Sequence, residues 1–162
     1  MVKDFPDKRF IKNNYALSDK NTNKIFFINK HSVTSSFNRI NKNYVKLYEN
    51  KTKDNIKVKT LTLDTYIDVN KIKKIDILKI DTQGHELNVL KGSEKSLKKN
   101  MINFIEVEII LCDYYVKKIN LYEIDRIMSE NNFEIFDFQQ VSYNENNQIK
   151  WFDMLYINKK LF

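Results

Sequence analysis

Residues 75–92 read IDILKIDTQGHELNVLKG. The run from Ile75 to Ile80 is nearly continuous aliphatic, the pattern of a strand covered on both faces. Asp81 closes the run, and a helical pattern begins at Glu86. The 162-residue chain has two glycines, and both fall here, as Gly84 and Gly92. In an open parallel α/β sheet, ligands bind beyond the carboxyl ends of the strands. That places Asp81 at a ligand position. Gly84 permits a backbone conformation or a close approach that a β-carbon would block, so it is read as the functional glycine. Gly92 is read as structural, the end of one helical stretch.

Downstream, residues 86–100 read as helix broken at Gly92, with Ser93 as a new N-cap. Residues 102–111 form the next buried strand around FIEVEII. The spacing of Leu121, Ile124, Ile127 and Met128 predicts a helix over 121–130. A strand over 133–138, a polar hairpin SYNENNQ and a last strand over 151–157 follow. Two strands joined so closely are expected to be antiparallel. Upstream, 11–17, 24–29 (KIFFIN) and 56–63 read as strands, 64–69 as a short helical turn, and 30–55 mostly as loop around SSF. Alternating strands and helices predict an α/β fold in one domain.

Composition narrows the classes. An apolar fraction of 42% with 13% aromatics is globular. No run of about 18 uncharged apolar residues exists, which argues against a membrane span. The N-terminus, with Pro6, lacks a signal-type apolar core. A single cysteine, Cys112, fits a reducing cytoplasm and lacks a catalytic partner, so it is read as a small buried hydrophobe. The net charge is +7, yet only three of the 28 basic residues are arginine: Arg9, Arg39 and Arg126. Base readout favours arginine, so no nucleic-acid partner is expected.

Candidate chemistry clusters around the opening stretch. Glu106 and Glu108 lie two apart in one strand and share a face. Something must satisfy them: a cationic ligand, a hydroxyl, a metal, or Lys79 next door. Glu106 is divided between an ion pair and function; Asp81 and Glu108 favour function. His85, beside Glu86, is a candidate general base. His31 reads as a solvent residue. No metal spacing of cysteine and histidine exists, so no metal site is assigned.

At these residues the chain resembles the FkbM family of S-adenosylmethionine-dependent methyltransferases. The landmarks run in order as ALSD (residues 16–19), SSF, VKTLTLDTYI (58–67), IDILKIDTQGHELNVLKG and FIEVEII, then LYEIDRIMSENNFEIFDF and WFDMLYIN around Asp153. The resemblance covers nearly the whole chain. It implies a class I methyltransferase fold, a Rossmann-like doubly wound sheet of order 3-2-1-4-5-7-6 with its last strand antiparallel. It also implies methyl transfer from S-adenosylmethionine, usually to a hydroxyl of a sugar, glycan or other small-molecule acceptor. By the same resemblance, Asp81, Gly84 and Glu86 match the D-x-x-G-x-E pattern beside the methyl-transfer site, and Glu108 matches the acidic residue of the next strand. Ala16, Leu17 and Ser18 match the segment that approaches the adenine, with Asp81 and Gly84 also at the cofactor. Asp81 or His85 is the expected base for the acceptor hydroxyl.

One departure is plain. No glycine precedes Gly84, so the glycine-rich loop after the fold's first strand is absent, and the resemblance starts at about the third strand. Two missing strands would leave sheet edges exposed. The expectation is a truncated or split domain, or a non-catalytic remnant, with a homodimer or a partner chain over the open edges.

Overall fold

The computed structural model describes residues 9–161; the N-terminal segment with Pro6 lies outside them. The strands fall into two sheets, not one. The first is three-stranded, with β1 (Ala16–Leu17), β2 (Thr22–Asn29) and β3 (Thr52–Leu61) in the order β1-β3-β2. The second has β4 (Ile75–Ile80), β5 (Ile102–Ile110), β6 (Phe133–Tyr143) and β7 (Ile149–Asn158) in the order β4-β5-β7-β6.

That second order is the one expected of the last four strands. β4 and β5 are parallel, and β7 runs antiparallel to both its neighbours. The doubly wound single sheet is corrected, however. The predicted strand over 11–17 shrinks to two residues, which pair in parallel with β3 at Ala16–Thr60 and Leu17–Leu61. β3 in turn is held by β2 over eight partner pairs. With no strand beside β4 on its outer side, the two sheets stay separate among the described residues.

The helices pack on one face of the second sheet. α2 (Leu63–Asn70), α3 (Glu86–Lys91), α4 (Glu94–Lys98) and α5 (Leu121–Glu130) bury Leu63, Ile67, Val89, Leu90, Leu97, Ile124 and Met128. These meet Ile105, Val107 and Ile109 of β5 and Phe152, Met154 and Tyr156 of β7. The alternation is that of a strand pair with one face in the core. α2 begins where the Thr62 hydroxyl accepts from Thr65 N–H, and the Asp64 carboxylate then accepts from the N–H groups of Lys95 and Ser96, capping α4. The opposite sheet face carries Ile77, Lys79, Phe104, Glu106, Glu108 and Asp153 in register. Ile77 is 65% exposed there.

The region expected to be mostly loop holds a 3-10 turn (Ser32–Thr34) and a helix, α1 (Lys42–Tyr48). Asn41 caps α1 by accepting from Asn43 N–H. Tyr44 and Val45 pack with Ile40, Ile110 and Tyr115 in a second, smaller core. The partners lie far along the chain, which is why local periodicity missed this helix. Among the described residues, no helix is long and apolar enough to cross a membrane.

Candidate active site

Both glycines are explained by close packing. Gly84 has φ +88, and a β-carbon would lie 2.9 Å from Asn38 Nδ2 and 3.2 Å from the Tyr115 ring. The Asn38 amide donates to the Gly84 carbonyl. Gly92 has an ordinary φ of −79 at the end of α3, so no left-handed cap requires it. A β-carbon there would instead overlap the Ser18 carbonyl. Gly92 thus seats the turn after β1 against the helices.

The loop between β4 and α3 is tied from inside by Glu86. Its Oε1 accepts from Thr82 N–H (3.0 Å), the Thr82 hydroxyl (3.2 Å) and Gly84 N–H (2.9 Å). Oε2 has no partner among the described residues, the side chain is fully buried, and burial pushes the carboxyl up from its ordinary value. Glu86, expected at the chemistry, is instead turned inward and ties its own loop together.

His85 also points inward. Its ring packs 4.7 Å from Phe37, and Nε2 lies 2.9 Å from the Ser18 hydroxyl. That hydroxyl has one proton, and it goes to Asp19 at 2.8 Å, while Lys24 donates to the same oxygen at 2.8 Å. By hydrogen-bond accounting, His85 Nε2 is therefore the donor. Burial, helped by the charge of Lys24, lowers the imidazole to about 4. A neutral, donor-engaged, buried ring is a structural link between the two sheets. Burial opposes the ionisation of Asp19, but hydrogen bonds from Lys24 and Ser18 hold its carboxyl well below the usual range.

The remaining acids separate into two groups. Lys79 bonds Glu106 and lies 3.2 Å from Asp153, so Glu106 belongs to an ion pair. Glu108 and Asp81 form the second group, joined by a residue the sequence did not single out. Gln83 Nε2 donates to Glu108 Oε2 at 2.7 Å and to Asp81 Oδ1 at 2.9 Å. Burial first, then the charges of Asp81 and Glu86, push Glu108 up to about 8. A carboxyl of that kind keeps its proton at neutral pH and gives it up just above.

Gln83 is itself in the left-handed region, φ 55, uncommon for a residue with a side chain. Four neighbours hold it there: Ser36 donates to its carbonyl at 2.6 Å, its amide nitrogen bridges Asp81 and Glu108, and the Tyr115 hydroxyl lies 2.9 Å from its Oε1. Strained backbone held by its surroundings is a recurrent feature of functional sites. Its place in the D-T-Q-G run, between Asp81 and Gly84, was the available signal.

Gln83 and Glu108 open on a cavity of about 420 Å³, within the size range of small-molecule sites. Ile110, Tyr114 and Trp151 wall it. Cys112, expected to be buried, is half-buried in its lining, and the exposed His31 lies at the same cavity. Asp81 is solvent-exposed beside it. Ala16, Leu17 and Ser18 are not brought to this cavity. Ser18 is fully buried, with its N–H on the Leu61 carbonyl at 2.8 Å and its hydroxyl engaged as above.

No solved structure matches the chain. The hexuronic acid methyltransferase AglP of Haloferax volcanii is 36% identical over 58 residues, which cover 36% of this chain and 23% of that protein. The chain thus aligns with less than a quarter of that relative's length. A model of the methyltransferase FkbM domain matches residues 4–135, most of the sequence, and the chain belongs to that family.

Proposed function

We propose that this chain is the acceptor-side part of a methyltransferase that acts on a hydroxyl group of a sugar-like acceptor, with S-adenosylmethionine as methyl donor. Family membership supports the methyltransferase class, and the name of the relative AglP supports a sugar acceptor. The observation that carries the proposal is the Asp81–Gln83–Glu108 cluster, of which Gln83 and Glu108 line the cavity.

The donor set fits one end of the cofactor. A sulfonium is a cation, and the exposed Asp81 carboxylate stands next to Gln83 of the cavity wall, with Glu108 adding a second negative charge only once it is ionised. When bound, S-adenosylmethionine supplies an electrophilic methyl group. The adenine segment expected at Ala16, Leu17 and Ser18 does not fit, because its polar groups are already engaged and buried. No role at the nucleoside is assigned to those residues.

Glu108 is the proposed proton acceptor. Once ionised, it takes the proton of the acceptor hydroxyl, and a pKa close to the working pH is the most effective for such a base. Gln83, donating to both acids, fixes their orientation without adding charge. Alignment supplies the rest of the rate. His85 and Glu86 position the loop.

Calorimetric titration with S-adenosylhomocysteine tests the donor side, with Asp81→Ala as control. The expected result is micromolar binding, about −8 kcal/mol, lost in the variant. A folded chain that binds nothing contradicts a donor site within this polypeptide.

A second function is favoured by one separate observation: β4 has no partner on its outer side among the described residues, and Ile77 on it is 65% exposed. Unpaired strand edges recruit other strands. On this alternative the chain is a binding module whose β4 edge pairs with a partner chain, and titration would show association without cofactor.

A further inference from the structure

The two acids meet the Gln83 amide at its nitrogen, and Tyr115 meets it at its oxygen. The Tyr115 ring is buried, with its centroid 5.0 Å from that of Tyr114. Its hydroxyl lies 2.9 Å from each of two acceptors, Gln83 Oε1 and the Thr34 carbonyl. A phenol has one proton to give. Burial pushes the hydroxyl well above its ordinary value, so the proton stays on. The Thr34 carbonyl is already served, because the Asn29 side-chain amide donates to it at 2.7 Å. That amide is itself fixed, since its oxygen accepts from the Thr52 hydroxyl at 2.9 Å. Gln83 Oε1 has no other donor among the described residues. An unpaired, half-buried amide oxygen forfeits its hydration for nothing, so the Tyr115 proton goes to Gln83.

The result is a one-way chain of donors from Tyr115 through Gln83 to Glu108. Donation to an amide oxygen polarises the group and strengthens its N–H bonds as donors. Those N–H bonds end on Glu108 and Asp81, and hydrogen bonds to a carboxylate favour its ionised form. The chain thus opposes what keeps Glu108 protonated, which is burial first and then the charges of Asp81, Glu86 and Asp153. Lys79 offers little relief, being bonded to Glu106 and Asp153. Across the cavity stand His31, Tyr44, Cys112 and Tyr114, while the side chain of Lys150, one residue before Trp151, alternates to the other sheet face. Without the Tyr115 hydroxyl, nothing opposes a half-turn of the amide. Its oxygen would then accept the Glu108 proton and hold the acid neutral. The backbone cannot compensate, because Ser36 pins the Gln83 carbonyl.

We propose that Tyr115 is a positioning residue for the base: its hydroxyl holds the Gln83 amide with the nitrogen toward Asp81 and Glu108, and so keeps Glu108 able to ionise. The inference rests on the reading of Glu108 as proton acceptor and adds the residue that tunes it through Gln83.

Tyr115→Phe removes the hydroxyl and leaves the ring. Carboxyl carbon-13 NMR of the purified chain, with Glu108 assigned through Glu108→Gln, follows the titration directly. In Tyr115→Phe the Glu108 titration should move up by about half a pH unit or more, roughly threefold in its ionisation constant. The effect travels through Gln83, so it should vanish in a Gln83→Leu background, where Tyr115→Phe adds nothing further. An unmoved titration in Tyr115→Phe overturns the inference. A shift of equal size in the Gln83→Leu background also overturns it, because Tyr115 would then act on Glu108 directly. If either variant fails to fold by circular dichroism, the wild type decides. The Gln83 side-chain amide protons and the Tyr115 hydroxyl proton should be protected from exchange and should shift together as Glu108 titrates. Signals that stay unmoved through that titration overturn the inference. The NMR uses neither cofactor nor acceptor, so failure of the methyltransferase reading shows in the calorimetry and leaves this result standing.

Discussion

The Ser18 hydroxyl lies 2.9 Å from Nε2 of His85, sixty-seven residues away in sequence, and joins the turn after β1 to the loop after β4. The imidazole is neutral there, because burial lowers it to about 4 from its ordinary value of 6.5. The unfolded chain binds this proton below about pH 6.5, and the folded chain does not until about pH 4. The contribution to stability is therefore fully present above pH 6.5 and is lost as pH falls from there to about 4. At most about 3 kcal/mol is involved. Urea denaturation at pH 7.5 and pH 5 should show wild-type stability falling more than that of His85→Gln. Equal losses in both would mean that His85 is not buried neutral.

Gly92→Ala should destabilise the chain by about 2–4 kcal/mol, because its β-carbon meets backbone and neither side can yield cheaply. Gly84→Ala should cost about 1–2 kcal/mol from its positive φ, and more from Asn38 and Tyr115. Thermal melts of both variants check the order. An unchanged Gly92→Ala melting temperature would contradict the Ser18 contact.

Glu108→Gln separates chemistry from stability. Its raised pKa means that the folded state holds a proton above about pH 4.5 that the unfolded state has released. Stability therefore decreases as pH rises from about 4.5 to about 8, and the variant removes that cost. The variant should melt higher than wild type at pH 8.5, with a smaller margin at pH 5.5. Methyl transfer, measured with the cognate acceptor, should fall about a hundredfold or more. Wild-type transfer should rise with pH through about 8, as the base ionises. A flat pH profile there would remove Glu108 from that role.

Glu86→Ala deletes the acceptor for Thr82 and Gly84 N–H. It should cost about 2–4 kcal/mol and loosen the loop that carries Asp81 and Gln83. Amide hydrogen exchange should show faster exchange at Thr82 and Gly84. Protection equal to wild type would show that Glu86 does not hold the loop.

Ile77→Lys places a charge on the exposed face of β4, the edge strand of the second sheet. Folding stability should change by no more than about 0.5 kcal/mol, since the side chain is mostly exposed. If a partner strand pairs along β4, sedimentation of the wild type should show concentration-dependent association that the variant lacks. A wild-type monomer at every concentration would argue against self-pairing at this edge.

Local sequence determined much of this protein. The aliphatic run of β4, the amphipathic α5 and the antiparallel closing pair all follow from spacing of apolar residues and from turn chemistry, which act between near neighbours. The family and the grouping of Asp81 with Glu108 were legible for the same reason, since both acids stand at ends of readable strands. Tertiary structure decided the rest. The split into two sheets depends on which strand β1 finds beside it, and α1 depends on a core built around Ile110 and Tyr115. Whether a carboxyl or an imidazole faces a cavity or a neighbour is likewise a matter of distance through space. Glu86 and His85 are turned inward by Thr82, Gly84 and Ser18, while Gln83 is fixed by Ser36, Glu108 and Tyr115 on three other segments. Spacing along a chain records periodicity, but the energy of a buried charge depends on everything packed around it, and only the fold assembles that surrounding.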